Sequence, residues 1–303
     1  MNLNFTKMHG AGNDYIFIDC FDITIDNPES LSISLSDRHF GIGGDGLVMI
    51  MRSDNADAKM RMFNSDGSEG KMCGNAIRCV AKYLYDNNII SKQKISIETL
   101  SGIKILSLTT QSDIVTHATV DMGNAILKPE LIPVRTDALP ADSLSSLPES
   151  IVGVPVNIGG AEYAITCVSM GNPHVVIFCE NVDNIPLSTI GPLFENAPLF
   201  PDRVNTEFVQ VIGRNRLKMR VWERGSGETL ACGTGACAAA VAAVLNGHCD
   251  EATDISVLLP GGELIINYSE GIVHMTGDCI KVFSGTIEMG ATVLCGTKKS
   301  DTE

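Results

Sequence analysis

FNSDGSEGKMCGN (residues 63–75) and WERGSGETLACGT (residues 222–234) are the two stretches on which the fold turns. They lie 159 positions apart, and laid together they match aromatic to aromatic, Glu69 to Glu228, and Cys73–Gly74 to Cys232–Gly233. At the same spacing Gly12–Asn13 falls on Gly171–Asn172, and a short apolar run follows each, YIFI in one place and HVVIF in the other. With the spacing longer by one, ISIETLSG from Ile95 meets ISVLLPGG from Ile255. Matches kept in one order at nearly constant spacing mark an internal duplication. The chain therefore reads as two diverged copies of one fold, each of about 130 residues, an ordinary domain size.

Each copy predicts the same α/β order of elements. Strands such as AKMRMF and LKMRVW show partial apolar alternation, a Gly-rich turn follows, and then a helix. The first helix is expected over residues 74–86 and the second over residues 234–245, with Gly247 as a stop for the latter. GTGACAAAVAAVL is apolar nearly all round, which predicts a helix buried within its own strands. Residues 128–155 hold five prolines and several serines, so the connection between the copies is expected there. The polar ending TKKSDTE is expected to fray.

Composition narrows the function. With 303 residues and 44% hydrophobic content the chain has material for two cores, and it does not read as disordered. A net charge of −14 argues against nucleic acid and anionic membranes as partners, since both select basic patches. The opening MNLNFTKMHGAGNDYIFIDC lacks the basic start and cleavage site of a secretory signal, and no apolar run nears the ~20 residues of a membrane span. Ten scattered cysteines form no CxxC pair and no Cys/His cluster, which disfavours a zinc site and a disulfide scaffold. The expectation is a cytoplasmic protein with reduced thiols.

A buried cysteine is ordinarily a small packing hydrophobe. Of the ten, however, Cys73 and Cys232 both stand in matched places and at the helix mouths. A helix N-terminus stabilises anions and lowers a thiol's pKa. The free N–H groups of Gly74, Asn75, Gly233 and Thr234 suit a carboxylate. Two related domains facing each other would set the thiols on opposite sides of a cleft. One group that removes a proton from one face and another that returns one to the opposite face invert a stereocentre, and thiols tuned toward the working pH can do both. An α-proton is weakly acidic, so such a site must exclude water and hold the carboxylate against the helix dipoles.

MHGAGNDYIFID (8–19), RHFGIGGDG (38–46), FNSDGSE (63–69), MCGNAIRC (72–79), SMGNPHVVIF (169–178), DRVNTEF (202–208), ERGSGETLACGTGACA (223–238) and LPGGEL (259–264) together resemble the diaminopimelate epimerases, in the family's order and over nearly the whole chain. The resemblance implies conversion of LL-diaminopimelate to the meso form, in lysine and peptidoglycan precursor synthesis, without pyridoxal phosphate or metal. It implies two pseudo-symmetric domains, each a curled, mostly antiparallel sheet around a central helix. Residues 1–126 with a returning 281–303 would form one domain and residues 127–280 the other. By position, Cys73 and Cys232 match the family's acid/base pair. Asn13, Asn64, Asn172, Asn205, Glu223 and Arg224 match its substrate-binding side chains, and His174 and Glu223 match groups that keep the cysteines correctly ionised. The chemistry is consistent: Arg224 suits a carboxylate, Glu223 an ammonium, and asparagines both donate and accept. Taken singly, each Asn is more often a turn or cap residue.

Two departures stand out. Some members carry Gln where this chain has Gly46, so one side-chain contact is absent or replaced. Many members dimerise through a tyrosine near the C-terminus where this chain has Phe283, and a homodimer is still expected. Proline and hydroxyproline epimerases resemble MCGHG rather than MCGNA, so Asn75 and ERGSGET favour diaminopimelate. A non-catalytic anion- or metal-binding protein is the other alternative, but two thiolates leave a metal shell unfilled and no GK[ST] follows the glycines.

Overall fold

The computed structural model describes residues 2–139 and 149–288; TKKSDTE and part of the proline-rich segment lie outside the described residues. The chain divides into two compact units, Met1–Ala118 with Asp278–Glu303, and Thr119–Gly277.

The first unit opens with an antiparallel pair, β1 (Asn2–Gly10) and β2 (Asn13–Asp19). Helix α1 (Pro28–Ser36) starts on Asn27, whose side chain accepts from the Ser30 N–H, with proline in the first turn. Next come β3 (Gly46–Met51), parallel to β2, β4 (Ala58–Asn64), antiparallel to β3, and the short β5 (Glu69–Gly70). Helix α2 (Gly74–Asp86) follows, then β6 (Lys94–Thr99), parallel to β4, and β7 (Gly102–Gln111), antiparallel to β6. The strand β8 (Ile114–Asn124) carries the chain across the unit boundary.

The second unit repeats this order. It begins with β9 (Val154–Ile158), β10 (Ala161–Ser169) and β11 (Pro173–Phe178), then α3 (Leu187–Glu195). There follow β12 (Asn205–Gly213), parallel to β11, β13 (Arg216–Glu223), antiparallel to β12, and the short β14 (Gly227–Thr229). Helix α4 (Gly233–Leu245) precedes β15 (Asp254–Leu259), parallel to β13, β16 (Gly262–Ser269) and β17 (Ile272–Asp278). Finally β18 (Ile280–Glu288) pairs antiparallel with β1, back in the first unit. Each unit is thus a mixed sheet, mostly antiparallel, with one helix against each face.

The alternation of the strands decides what meets which helix. On β2, Ile16 and Ile18 join Leu31, Leu35 and Phe63 in a core beside α1, which turns Tyr15 and Phe17 to the other face. In the second unit Val175, Ile177 and Phe208 pack with Leu187 and Phe194 beside α3. That leaves Asn205, Glu207 and Val209 on the side of α4. Helix α4 is touched by β10, β11, β12, β13, β15 and β16, and Ala236 to Ala243 are completely buried. Alanine lets strands approach on every side, and a helix so enclosed draws its stability from packing rather than from propensity. Helix α2, met by β1, β2, β6 and β7, keeps a partly polar flank with a Lys82–Asp86 ion pair at 2.7 Å. Gly247 (φ 74°) ends α4 in the left-handed region, and Asn88 (φ 57°) takes that part after α2.

Two expectations need correction. The second helix begins one residue earlier than expected, at Gly233. The connection expected at residues 128–155, with boundaries at 126/127 and 280/281, is not where the units divide: the divisions fall at 118/119, inside β8, and at 277/278. The reason is packing. Ile132, Val134, Leu139 and Ile151 lie among the prolines and are buried in the core of the second unit.

Candidate active site

Both matched cysteines cap their helices. Cys73 precedes α2 with extended backbone (φ −133°, ψ 120°) and Cys232 precedes α4 likewise (φ −117°, ψ 108°); neither helix has a side-chain cap at this position. Their carbonyls close the first helical turns, accepting from Ile77 and Ala236 at 2.9 Å. The N–H groups between remain at the helix mouth, as helix geometry requires.

In the first unit the Cys73 thiol donates to Asn13 Oδ1 at 3.4 Å, and the Asn75 amide donates to the same oxygen at 3.3 Å. Asn13 in turn donates to Asp45 Oδ2 at 2.7 Å. The loop carrying Asp45 is tied down by charge: Arg38 reaches Asp14 at 2.8 Å and Asp45 at 2.9 Å, and Lys7 reaches Asp14 at 2.6 Å. Burial pushes the Asp14 carboxyl up, but the hydrogen bonds and charges of Arg38 and Lys7 outweigh it and hold it below the usual range. Behind the helix mouth Arg78 is fully buried and donates to Gly74 O at 2.9 Å, Asn75 Oδ1 at 3.1 Å and Asp278 O at 3.1 Å. Burial lowers its guanidinium, while the thiolate form of Cys73 would favour it. Asn64 stands at the end of β4, where its amide donates to Ser68 at 2.9 Å.

In the second unit the contacts form a line. Glu207 Oε1 meets His174 Nδ1 at 2.7 Å, and both residues are fully buried. His174 Nε2 meets Asn172 Oδ1 at 3.1 Å, Asn172 donates to Thr234 Oγ1 at 3.3 Å, and Thr234 Oγ1 lies 3.5 Å from Cys232 Sγ. Burial pushes the Cys232 thiol well up, and the carboxylates of Glu223 and Glu207 add to this; Thr234 and the Gly235 N–H act the other way. Glu223 ends β13 and accepts from the Thr229 hydroxyl. Asn205 is buried and accepts from the Arg224 N–H at 2.9 Å, while the Arg224 guanidinium donates to Asp202 O at 2.9 Å.

The residues expected from sequence therefore gather by unit. Asn13, Cys73, Gly74 and Asn75 meet at one helix mouth, with Asn64 on the neighbouring strand. Asn172, His174, Cys232, Gly233 and Thr234 meet at the other, flanked by Glu223, Arg224 and Asn205. Sequence reasoning missed Asp45, Arg78, Tyr15 and Glu207. Tyr15 is buried beside Asn13 and Cys73; burial, with the charges of Cys73 and Asp45, pushes its hydroxyl well up. A two-residue period from Asn205 points to Glu207 on the same face of β12, and one from Asn13 points to Tyr15.

Gly46 explains the departure from the glutamine of some family members. A Cβ there would lie 2.1 Å from the Phe63 carbonyl and 2.9 Å from the Tyr15 ring. This position admits no side chain while β4 and Tyr15 stay where they are.

A duplicated mixed sheet with a helix against each face in each copy defines a known class of fold. It is shared with a crystal structure of a Bacillus anthracis phenazine biosynthesis protein of the PhzF family (TM-score 0.69, 14% identity, covering 95% of this chain and 100% of that one). It is shared too with a probable proline racemase from Agrobacterium radiobacter with bound carbonate (TM-score 0.66, 12% identity, 95% and 93%). Within that class, residues 5–128 and 166–282 match the family model of diaminopimelate epimerase, and a diaminopimelate epimerase of Acetivibrio thermocellus is 55% identical over 95% of this chain and 99% of its own. The chain belongs to the diaminopimelate epimerase family.

Proposed function

We propose that this protein is an isomerase that converts LL-2,6-diaminopimelate to meso-diaminopimelate by proton transfer between Cys73 and Cys232, in lysine and peptidoglycan precursor biosynthesis. The observation that carries the reading is the matched pair of cysteine-capped helices, each with its asparagine at hand. One sulfur, as thiolate, takes the α-proton; the other, as thiol, delivers a proton to the opposite face, and the reverse reaction exchanges their roles. The α-carboxylate sits against the N–H groups of Gly74, Asn75, Gly233 and Thr234, where the helix dipoles stabilise the charge that develops. Asn13, Asn64, Asn172, Asn205, Glu223 and Arg224 hold the two amino-acid ends, and His174 and Glu223 govern the ionisation of Cys232. The reaction so written draws on side chains and backbone alone, with no pyridoxal phosphate or metal.

Incubation with LL-diaminopimelate in heavy water, followed by chiral analysis, tests this. The expected result is the meso product with deuterium at the inverted carbon; turnover of free proline but not of diaminopimelate would overturn it. Among the described residues no helix is long and apolar enough to cross a membrane. The finer reading is a cytoplasmic homodimer, supported by an exposed apolar stretch on β18 that includes Val282 and Phe283. Sedimentation at micromolar concentration checks the dimer.

A further inference from the structure

We propose that Glu207 is a positioning residue for Cys232: it anchors a one-way chain of hydrogen bonds through His174 and Asn172 to Thr234, which aims the Thr234 hydroxyl at the sulfur. The inference rests on the reading of Cys232 as an acid/base group and assigns a role to a side chain outside the expected site.

The direction of the chain follows from counting protons. Asn172 Oδ1 faces His174 Nε2 at 3.1 Å, and an amide oxygen only accepts, so Nε2 carries a proton. The 2.7 Å contact between Nδ1 and Glu207 Oε1 then needs a second proton, on the ring or on the carboxyl. In either location the pair is neutral overall. Burial favours this state, because it pushes the Glu207 carboxyl up, and Oε2 has no hydrogen-bond partner among the described residues. With its oxygen committed to His174, Asn172 offers N–H to Thr234 Oγ1 at 3.3 Å. The threonine proton is thereby left to point at Cys232 Sγ, 3.5 Å away. The opposite histidine tautomer would flip the amide, turn the threonine proton toward Asn172, and leave the sulfur without a hydroxyl donor.

The sulfur has need of that donor. The titratable groups around this helix mouth are Glu223 from β13, Glu207 from β12 and His174 from β11, and burial with a nearby Glu223 carboxylate disfavours a thiolate. A neutral Glu207–His174 pair removes one opposing charge, and the aimed hydroxyl and the Gly235 N–H supply two donors. Gly235 makes the arrangement possible: a Cβ there would lie 2.7 Å from Glu207 Oε1 and 3.3 Å from the sulfur. At the matched positions of the first unit stand Tyr15 for His174 and Val48 for Glu207, and Cys73 bonds Asn13 directly. Cys73 is therefore an internal control.

The test is the rate of iodoacetamide alkylation at each cysteine of the full-length protein, resolved by peptide mass spectrometry from about pH 6 to about pH 10. In Glu207→Leu, Cys232 should react about tenfold more slowly at neutral pH, its titration moved up by about one unit, with Cys73 unchanged. Thr234→Val should show the same fall, and the double variant should fall no further, because both changes cut one chain. Glu207→Gln, whose amide can donate to Nδ1 as a protonated carboxyl does, should stay within about twofold of wild type. A faster or unchanged Cys232 in Glu207→Leu, or an equal shift at both cysteines, overturns the proposal. Should Glu207→Leu not fold, the decision falls to Glu207→Gln: behaviour like Thr234→Val overturns the chain, and wild-type behaviour beside a slowed Thr234→Val supports it. None of these readings depends on turnover, so a failure of the epimerase assignment would appear separately in the heavy-water assay.

Discussion

The two units share a frame and differ in what they set behind the sulfur. Each has parallel and antiparallel strands in the same order, a glycine–asparagine turn, a two-pronged Arg–Glu pair on the hairpin before the cysteine, and a helix capped by that cysteine. Behind Cys73 lies the buried cation Arg78; the matched position behind Cys232 is Cys237, small and fully buried. Around Cys232 lie instead two carboxyl groups, Glu207 and Glu223. Duplication alone would give two equal thiols, and two equal thiols would compete to be thiolate or thiol together. A cation stands behind one sulfur and carboxyl groups stand near the other, so the two halves differ in their electrostatic surroundings.

The largest effect expected from disturbing this comparison is loss of either sulfur. Cys73→Ala and Cys232→Ala should each reduce inversion about a thousandfold or more, since general acid–base groups contribute about 10²–10⁴ and inversion needs both. Measured as formation of the meso product, the two losses should be similar although the surroundings differ. If either variant kept near-normal epimerisation, the two-thiol mechanism would fail.

A smaller effect is expected at Gly46, matched in the second unit by Asn205. Parallel pairing sets Gly46 beside Tyr15 and Asn205 beside His174, so the partner's bulk has changed along with the residue. Gly46→Gln, which writes in the residue of some family members, should destabilise by about 2–3 kcal/mol through overpacking. Because the 2.1 Å overlap is with the Phe63 backbone, shortening Tyr15 to Ala should not relieve it. Urea denaturation decides: an unchanged midpoint in Gly46→Gln would mean that the β3–β4 contact is looser than described.

Much of this could be read from the chain before any coordinates, because duplication repeats its own evidence. Cys73 and Cys232 follow from motifs matched at one spacing, and the two helices and the Gly247 stop follow from residue types. What stayed hidden depended on burial. Arg78 in GNAIRCVAKYLYD looks like an ordinary helix charge, and only packing against Asp278, far along the chain, encloses it. Glu207 in NTEFVQV gives no sign in the sequence of the His174 that β11 brings beside it. The unit boundary was misplaced for the converse reason: prolines suggest a linker, but Ile132, Val134, Leu139 and Ile151 among them are core.

The finest contrast is between the Arg–Glu pairs that brace each cysteine's hairpin. Arg61 grips Glu69 at 2.7 and 3.0 Å, and Arg220 grips Glu228 at 2.7 and 3.0 Å. Such partly exposed pairs are worth about 0.5–1 kcal/mol. Arg61 adds a ring contact with Phe63 at 5.0 Å, whereas Arg220 also donates to the Val182 and Ile185 carbonyls at 2.9 Å. Arg220→Ala should therefore cost about 1 kcal/mol more than Arg61→Ala, since it removes two hydrogen bonds to carbonyls besides breaking the pair. Acid should separate them further. The hydrogen bonds and charge of Arg61 hold the Glu69 carboxyl below its ordinary value. That contribution is present above the ordinary glutamate range and is lost as pH falls through the lowered, folded value. The cost of Arg61→Ala should accordingly shrink in acid, while the carbonyl bonds of Arg220 persist. Urea midpoints of both variants at neutral and acid pH are the measurement, and equal costs at both would show that the two hairpins are braced alike.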